Sequence, residues 1–233
     1  NTLLSAKTDE PLFIPATTFS LTEEINIIEK KGGPDLIATT SENNKEEIIP
    51  CERKATDYPM RDKIIFNEIS WMGSLSSSND EWIEIKNISF NEVNLNGWQV
   101  IDKNKQIKII FESENIIPGS QLFLLERTDN QSVPQVAADF IYTGSLNDEN
   151  EILYLFDKNC QLQDEIIAGP DWPAGEKEGR KSMERTNNLG WQTYRGWGEN
   201  NIFGTPKKEN SQLIYSGGGG TTSVSSPSSL MPS

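Results

Sequence analysis

The sequence contains no histidine. That absence removes the commonest general base, the commonest zinc ligand and every Ser-His or Cys-His pair on which hydrolases are built. Cysteine is nearly absent: Cys51 and Cys160 are the two present, and no C-x-x-C exists to suggest a redox pair. They sit in regions of different character, a polar stretch and a predicted hairpin turn. Two free thiols are therefore expected, with one linker-to-domain disulfide as the alternative. No apolar run approaches the ~18 residues that span a bilayer, and no charged-then-apolar leader opens the chain. Because it begins at Asn1 and closes in low-complexity sequence, a mature or excised piece of a longer protein is expected. No GxxxxGK[ST] or GxGxxG cradle follows a strand-like run. Positive charge is also short, with 21 Lys+Arg against 35 Asp+Glu, a net charge of −14 and a pI near 4.5. Such a field repels phosphate backbones and anionic membranes, which argues against nucleic acid as a partner and otherwise reads as plain solubility.

What is present divides into three parts. Residues 1–60 are acidic, carry scattered Thr and Pro, and hold apolar clusters too short to repay chain entropy, so a disordered linker is expected. Residues 211–233 carry no charge and include Gly217 to Gly220 among Ser, Thr and Pro, the composition of a flexible tether. Between them, residues 61–210 show β-type runs separated by turn signals and no helical periodicity. Ile64 to Asn87 reads as two strands joined by a serine-rich loop, and Asn96-Gly97 as a bend before Gln99 to Ile101. Further strands are predicted around Ile107 to Phe111, Leu122 to Glu126, Ala138 to Tyr142, Ile152 to Phe156, Leu162 to Ala168 and Ser182 to Thr186. Everything after Ala168 except that last strand is expected to be ordered loop. The fold class is all-β, a sandwich between two tails.

The segments IIFNEISWMG, NDEWIEIKN, NLNGWQV, LFLLER, DWPAG, SMERT, GWQT and GTPKKEN together resemble the bacterial version of the lamin tail domain, over nearly all of residues 62–210. The resemblance implies an immunoglobulin-like antiparallel β-sandwich that acts as a non-catalytic interaction module. Such domains are placed in secreted or cell-surface bacterial proteins, sometimes beside hydrolase or nuclease domains. One departure is GTPKKEN, where the family more often reads GTPGxxN: Lys207 stands in the place of a glycine.

Carboxylates are the chemistry that remains. Glu68, Glu81 and Glu84 fall on the opening strands, and Glu68 facing Glu84 would superficially suit a glycosidase pair. Structural pairing of Glu68 and Glu84 with Arg185 of SMERT carries more weight, because buried acids in a sandwich need donors. Asp80 and Glu81, with Asp148 and Glu149, sit in or beside Asn/Asp-rich loops whose oxygens could hold a weakly bound calcium, although neither loop has a calcium-loop spacing and both are first of all turns. No other cofactor is expected. Trp172, Trp191 and Trp197 lie in Gly-rich loops and either form an aromatic platform for a sugar or peptide or plug the open end of the sandwich; burial is favoured by their large apolar area. The functional expectation is a non-enzymatic module of an exported, extracellular or cell-surface protein that binds an envelope protein or glycan. The alternative is an accessory domain of an extracellular hydrolase or nuclease whose catalytic part lies outside this chain.

Overall fold

The computed structural model describes residues 48–134 and 136–212. Most of the expected linker and tether thus lies outside the described residues. Period-2 alternation of β-branched and aromatic residues produces strands and no helix among the described residues, so none is present that could cross a membrane. The strands are β1 (Ile64–Ser70), β2 (Trp82–Asn87), β3 (Val93–Asn94), β4 (Gln99–Asp102), β5 (Lys108–Ile110), β6 (Ile116–Ile117), β7 (Leu122–Arg127), β8 (Phe140–Tyr142), β9 (Ile152–Phe156), β10 (Leu162–Ile167), β11 (Met183–Arg185) and β12 (Trp191–Thr193).

One sheet has the order β12-β11-β1-β2-β7-β8, a second β10-β9-β4-β5, and β3 pairs with β6 in a short ribbon. Neighbours are antiparallel except β7 with β8, which run parallel. This is the expected all-β sandwich. Its core lies between the sheets: Ile64, Phe66, Ile69, Ile83, Ile85, Phe123 and Leu125 from the first meet Val100, Ile109, Leu153, Leu155 and Ile166 from the second. Each such side chain contributes roughly 1.5–3 kcal/mol of transfer free energy. The Asn96-Gly97 bend forms where predicted, with Gly97 at φ 83°. The ribbon β3–β6 and strand β12 were not legible, being two or three residues long and lacking a run of alternation.

A bulge in β1 decides which face its acid occupies. Strict alternation from Ile64 through Phe66 would send Glu68 into the core and Ile69 out of it. Pairing with β2 slips between Phe66 and Glu68, so that Phe66 faces Ile85, Glu68 faces Glu84 and Ile69 faces Ile83. The extra residue turns Glu68 outward and returns Ile69 to the core.

The cysteine expectation is corrected: Cys51 and Cys160 form a disulfide across a sequence separation of 109. The reason lies in residues 48–60, which by composition belong with the linker but lie along the second sheet. Met60 and Arg61 donate backbone N–H groups to the carbonyls of Leu162 and Gln163. Cys51 is 4% exposed against Phe156 and Leu162, and its N–H donates to Gln99 Oε1 at 2.8 Å. Cys160 is in the predicted hairpin turn, its N–H donating to Asp157 O. Polarity concealed a segment that adds to the edge of β10.

Candidate functional site

The outer face of the first sheet carries a row of acids. Register sets Glu84 of β2 beside Glu68 of β1 and Glu68 beside Glu184 of β11, and none of the three is exposed. Like charges directly opposite on adjacent strands destabilise a sheet, so the row needs cover and donors. Both come from a strap, residues 203–211, that crosses the face. Thr205 N–H donates to Glu68 Oε1 at 2.8 Å, Lys207 N–H to Glu84 Oε2 at 2.6 Å and Ser211 N–H to Glu184 Oε1 at 3.0 Å. Ser182 Oγ lies 2.5 Å from Glu68 Oε1, and the Asn67 and Gln192 amides donate to Glu84 and Glu184. Burial, then the charges of Glu84 and Glu184, holds the Glu68 carboxyl well above the usual carboxylate range. Burial pushes Glu84 up to about 8 against the opposing pull of Lys207 N–H and Asn67.

Lys207, where the resembled motif has glycine, sits at φ 61°. The left-handed backbone that glycine would favour is retained, and it aims the Lys207 N–H at Glu84. The ammonium is held away from the row, by Asp139 and the Leu122 carbonyl.

The three carboxyls are enclosed beneath the strap. A Cβ on Gly204 would stand 2.6 Å from Glu68 Oε1, 2.8 Å from Ser182 Oγ and 2.9 Å from Trp82 Cζ2, so the seal is tighter than a methyl group. Gly204→Ala is expected to cost about 1–3 kcal/mol by overpacking, while Gly169→Ala, where a Cβ meets nothing within 4 Å, stays near wild type. Urea unfolding of the two variants checks this. Equal midpoints would mean that the strap is not packed on the row.

Arg185 is not the partner of Glu68 and Glu84, and this too is a correction. Met183 and Arg185 share one face of β11 while Glu184 takes the other, so the guanidinium points away from the acid row. It pairs with Asp164 of β10, donates through Nε to Phe66 O at 2.9 Å and through Nη1 to Leu189 O at 3.1 Å, and stands 3.8 Å over the Trp191 ring. Asp164 also accepts from Phe66 N–H at 3.0 Å and from Arg61 Nε at 2.7 Å. Both peptide groups of Phe66, at the bulge, are thereby satisfied by one ion pair that links the sheets. Burial draws Arg185 down to about 10 against the support of Asp164, which leaves it charged at neutral pH.

The three tryptophans do not meet in one platform. Trp172 is 7% exposed, stacks on Trp71 with centroids 5.7 Å apart and donates from Nε1 to Asn147 O at 2.9 Å. Trp191 is half-buried beneath the Arg185 guanidinium. Trp197, between Gly196 and Gly198, is 85% exposed.

The calcium candidates are likewise not gathered into a ligand set. Asp80 accepts from Ser74 Oγ at 2.5 Å, and Glu81 is held by Arg127 Nη1 at 2.9 Å and Leu146 N–H at 2.8 Å, burial pushing it up to about 7. Asp148 pairs with Lys177 at 2.6 Å, and Glu149 is exposed. Among the described residues no group of three or more Cys, Asp or Glu could hold a metal ion.

Sequence reasoning missed Glu184, Thr205 and Asp164. Alternation in Ser182-Met183-Glu184-Arg185 was the available signal for Glu184. Nothing local marks Thr205 or Asp164, whose roles arise from strands and strap far apart in sequence.

Residues 59–169 match the family model described as Lamin Tail Domain. No curated protein matches the chain significantly.

Proposed function

From the premise that residues 59–169 of this chain carry a lamin tail domain, we propose that the protein is a non-enzymatic interaction module of an exported protein, binding an envelope protein or glycan through the surface around Trp197. The family is one of non-catalytic, immunoglobulin-like interaction domains. The observation that carries the reading is the exposure of Trp197 while Trp172 and the acid row are enclosed. An indole held in water between two glycines is poorly explained by stability and well suited to a sugar face or a partner's apolar pocket. Export is supported by the Cys51–Cys160 disulfide, because such bridges persist in oxidising compartments.

Trp197→Ala is expected to leave the melting temperature unchanged. Because central aromatic anchors contribute about 2 kcal/mol or more, it should weaken retention on immobilised envelope glycans or envelope protein by roughly 30-fold. Binding of both forms at equal strength, or of neither, would overturn the reading. For export, a peptide linking Cys51 to Cys160 in protein recovered from the envelope fraction of its source is the expected result.

A further inference from the structure

One hydroxyl of the strap stands between two carboxyls of the row. Thr205 Oγ1 lies 2.8 Å from Glu68 Oε2, 2.8 Å from Glu184 Oε1 and 3.5 Å from Asn210 Oδ1, yet a hydroxyl carries one hydrogen. If it donates to one carboxyl, its contact with the other is oxygen on oxygen unless that carboxyl supplies a proton. Ser182 Oγ donates to Glu68 Oε1 at 2.5 Å, Phe203 O being served by the Ser182 N–H at 2.9 Å. No side-chain cation compensates by direct contact. Lys86 pairs with Glu209, Lys207 with Asp139 and Lys208 with Glu199.

We propose that the strap is a proton-held latch: residues 203–211 close over the outer face of the first sheet while the Glu68–Thr205–Glu184 chain retains a proton, and lift from it when that proton leaves. Thr205, Lys207 and Ser211 reach the sheet through these carboxyls, while Asn210, donating to Asn67 O and Arg185 O, and Phe203, accepting from Ser182 N–H, hold the strap without them. Its release would bare the edge of Trp82 against which Gly204 lies.

The groups facing the row fix the direction of the response. Glu84 and Lys86 come from β2, Glu184 from β11 and Ser182 from just before it, Gln192 from β12, Tyr194 from the segment after it, and Lys207, Lys208 and Glu209 from the strap. Glu68 and Glu84 are both raised, Glu84 to about 8. A raised folded-state value means that the folded chain binds more protons than the unfolded one. The closed state therefore has this contribution in full below the unfolded carboxyl value of ~4.5 and loses it as pH rises through about 8. The latch is closed in acid and opens in alkali.

Hydrogen exchange of the full chain, expressed as protection relative to the intrinsic rate at each pH, reads this directly. Between pH 6 and 9.5 the amides of Thr205, Lys207 and Ser211 are expected to lose protection at least tenfold, while Ile83 and Leu125 in the core of the first sheet keep theirs. Glu68→Gln places a permanent donor where the shared proton stood, its oxygen still accepting from Thr205 N–H, so its strap protection is expected to be flat across the range. Should E68Q not fold, the wild-type urea midpoint is the second measurement, expected to fall as pH rises through about 8; a midpoint flat across that range would overturn the latch. Wild-type strap amides that track Ile83, or a variant that retains the alkaline loss, would overturn the latch.

Discussion

Replacing Arg185 by alanine is expected to lower stability by about 3–5 kcal/mol, the range for removing one partner of a buried ion pair. For a domain of this size that is a fall in melting temperature on the order of 10 °C. The size follows from what is stranded. Asp164 is fully buried and would keep Arg61 as its one cationic partner, while Phe66 O and Leu189 O would lose their donors. The Trp191 ring would lose the guanidinium above it. Arg185→Lys recovers little, because an ammonium cannot serve Phe66 O, Leu189 O and Asp164 from one planar fork. Thermal unfolding of R185A, D164A and the double variant gives a cycle, and a coupling energy above about 1 kcal/mol assigns the loss to the pair and not to packing. A melting temperature within the error of wild type for R185A would remove Arg185 from its place as the link between sheets.

Removing the disulfide is the second large effect. Closing a loop of roughly 100 residues restricts the unfolded chain by about 4.7 kcal/mol in the chain-entropy account, and measured bridges typically give 2–4. The separation here is 109 residues, so the double variant C51S/C160S should be about 2–4 kcal/mol less stable in urea unfolding. The same loss should follow reduction of the wild type. Because Cys51 also anchors residues 48–60 against Phe156 and Leu162, limited proteolysis should cut near Lys54 in the double variant and not in the oxidised protein. Coincident urea midpoints with and without reductant would show that the bridge contributes no stability.

These effects and the latch rest on one device used twice. A bulge at Asn67 in β1 turns Glu68 to the outer face, and a slip between Leu162 and Asp164 accompanies the placing of Asp164 against the bulge from the other sheet. One acid is met by Arg185 and Arg61 and stays an ion pair. The other is met by two more acids and a strap of neutral donors, and so holds protons. The contrast explains why the sandwich has an internal link that should tolerate alkali and an external cover that should not.

The amino-acid sequence by itself determined where most strands run, since alternation with period 2 is a local property: Ile64 to Asn87, Leu122 to Glu126 and Ile152 to Phe156 all became strands. It also determined that no histidine chemistry is available, and the motifs between residues 59 and 169 lie within the stretch that matches the family model. Tertiary structure alone decided which residues meet. Strand order and the two register slips gave Arg185 to Asp164 in place of Glu68 and Glu84. The edge of β10 captured residues 48–60 and joined the cysteines, and packing buried Trp172 while leaving Trp197 in water. Alternation states which face a side chain takes relative to its neighbour. A partner is fixed by pairing across 20 to more than 100 residues, and a one-residue slip in that pairing reverses the face without altering the local pattern.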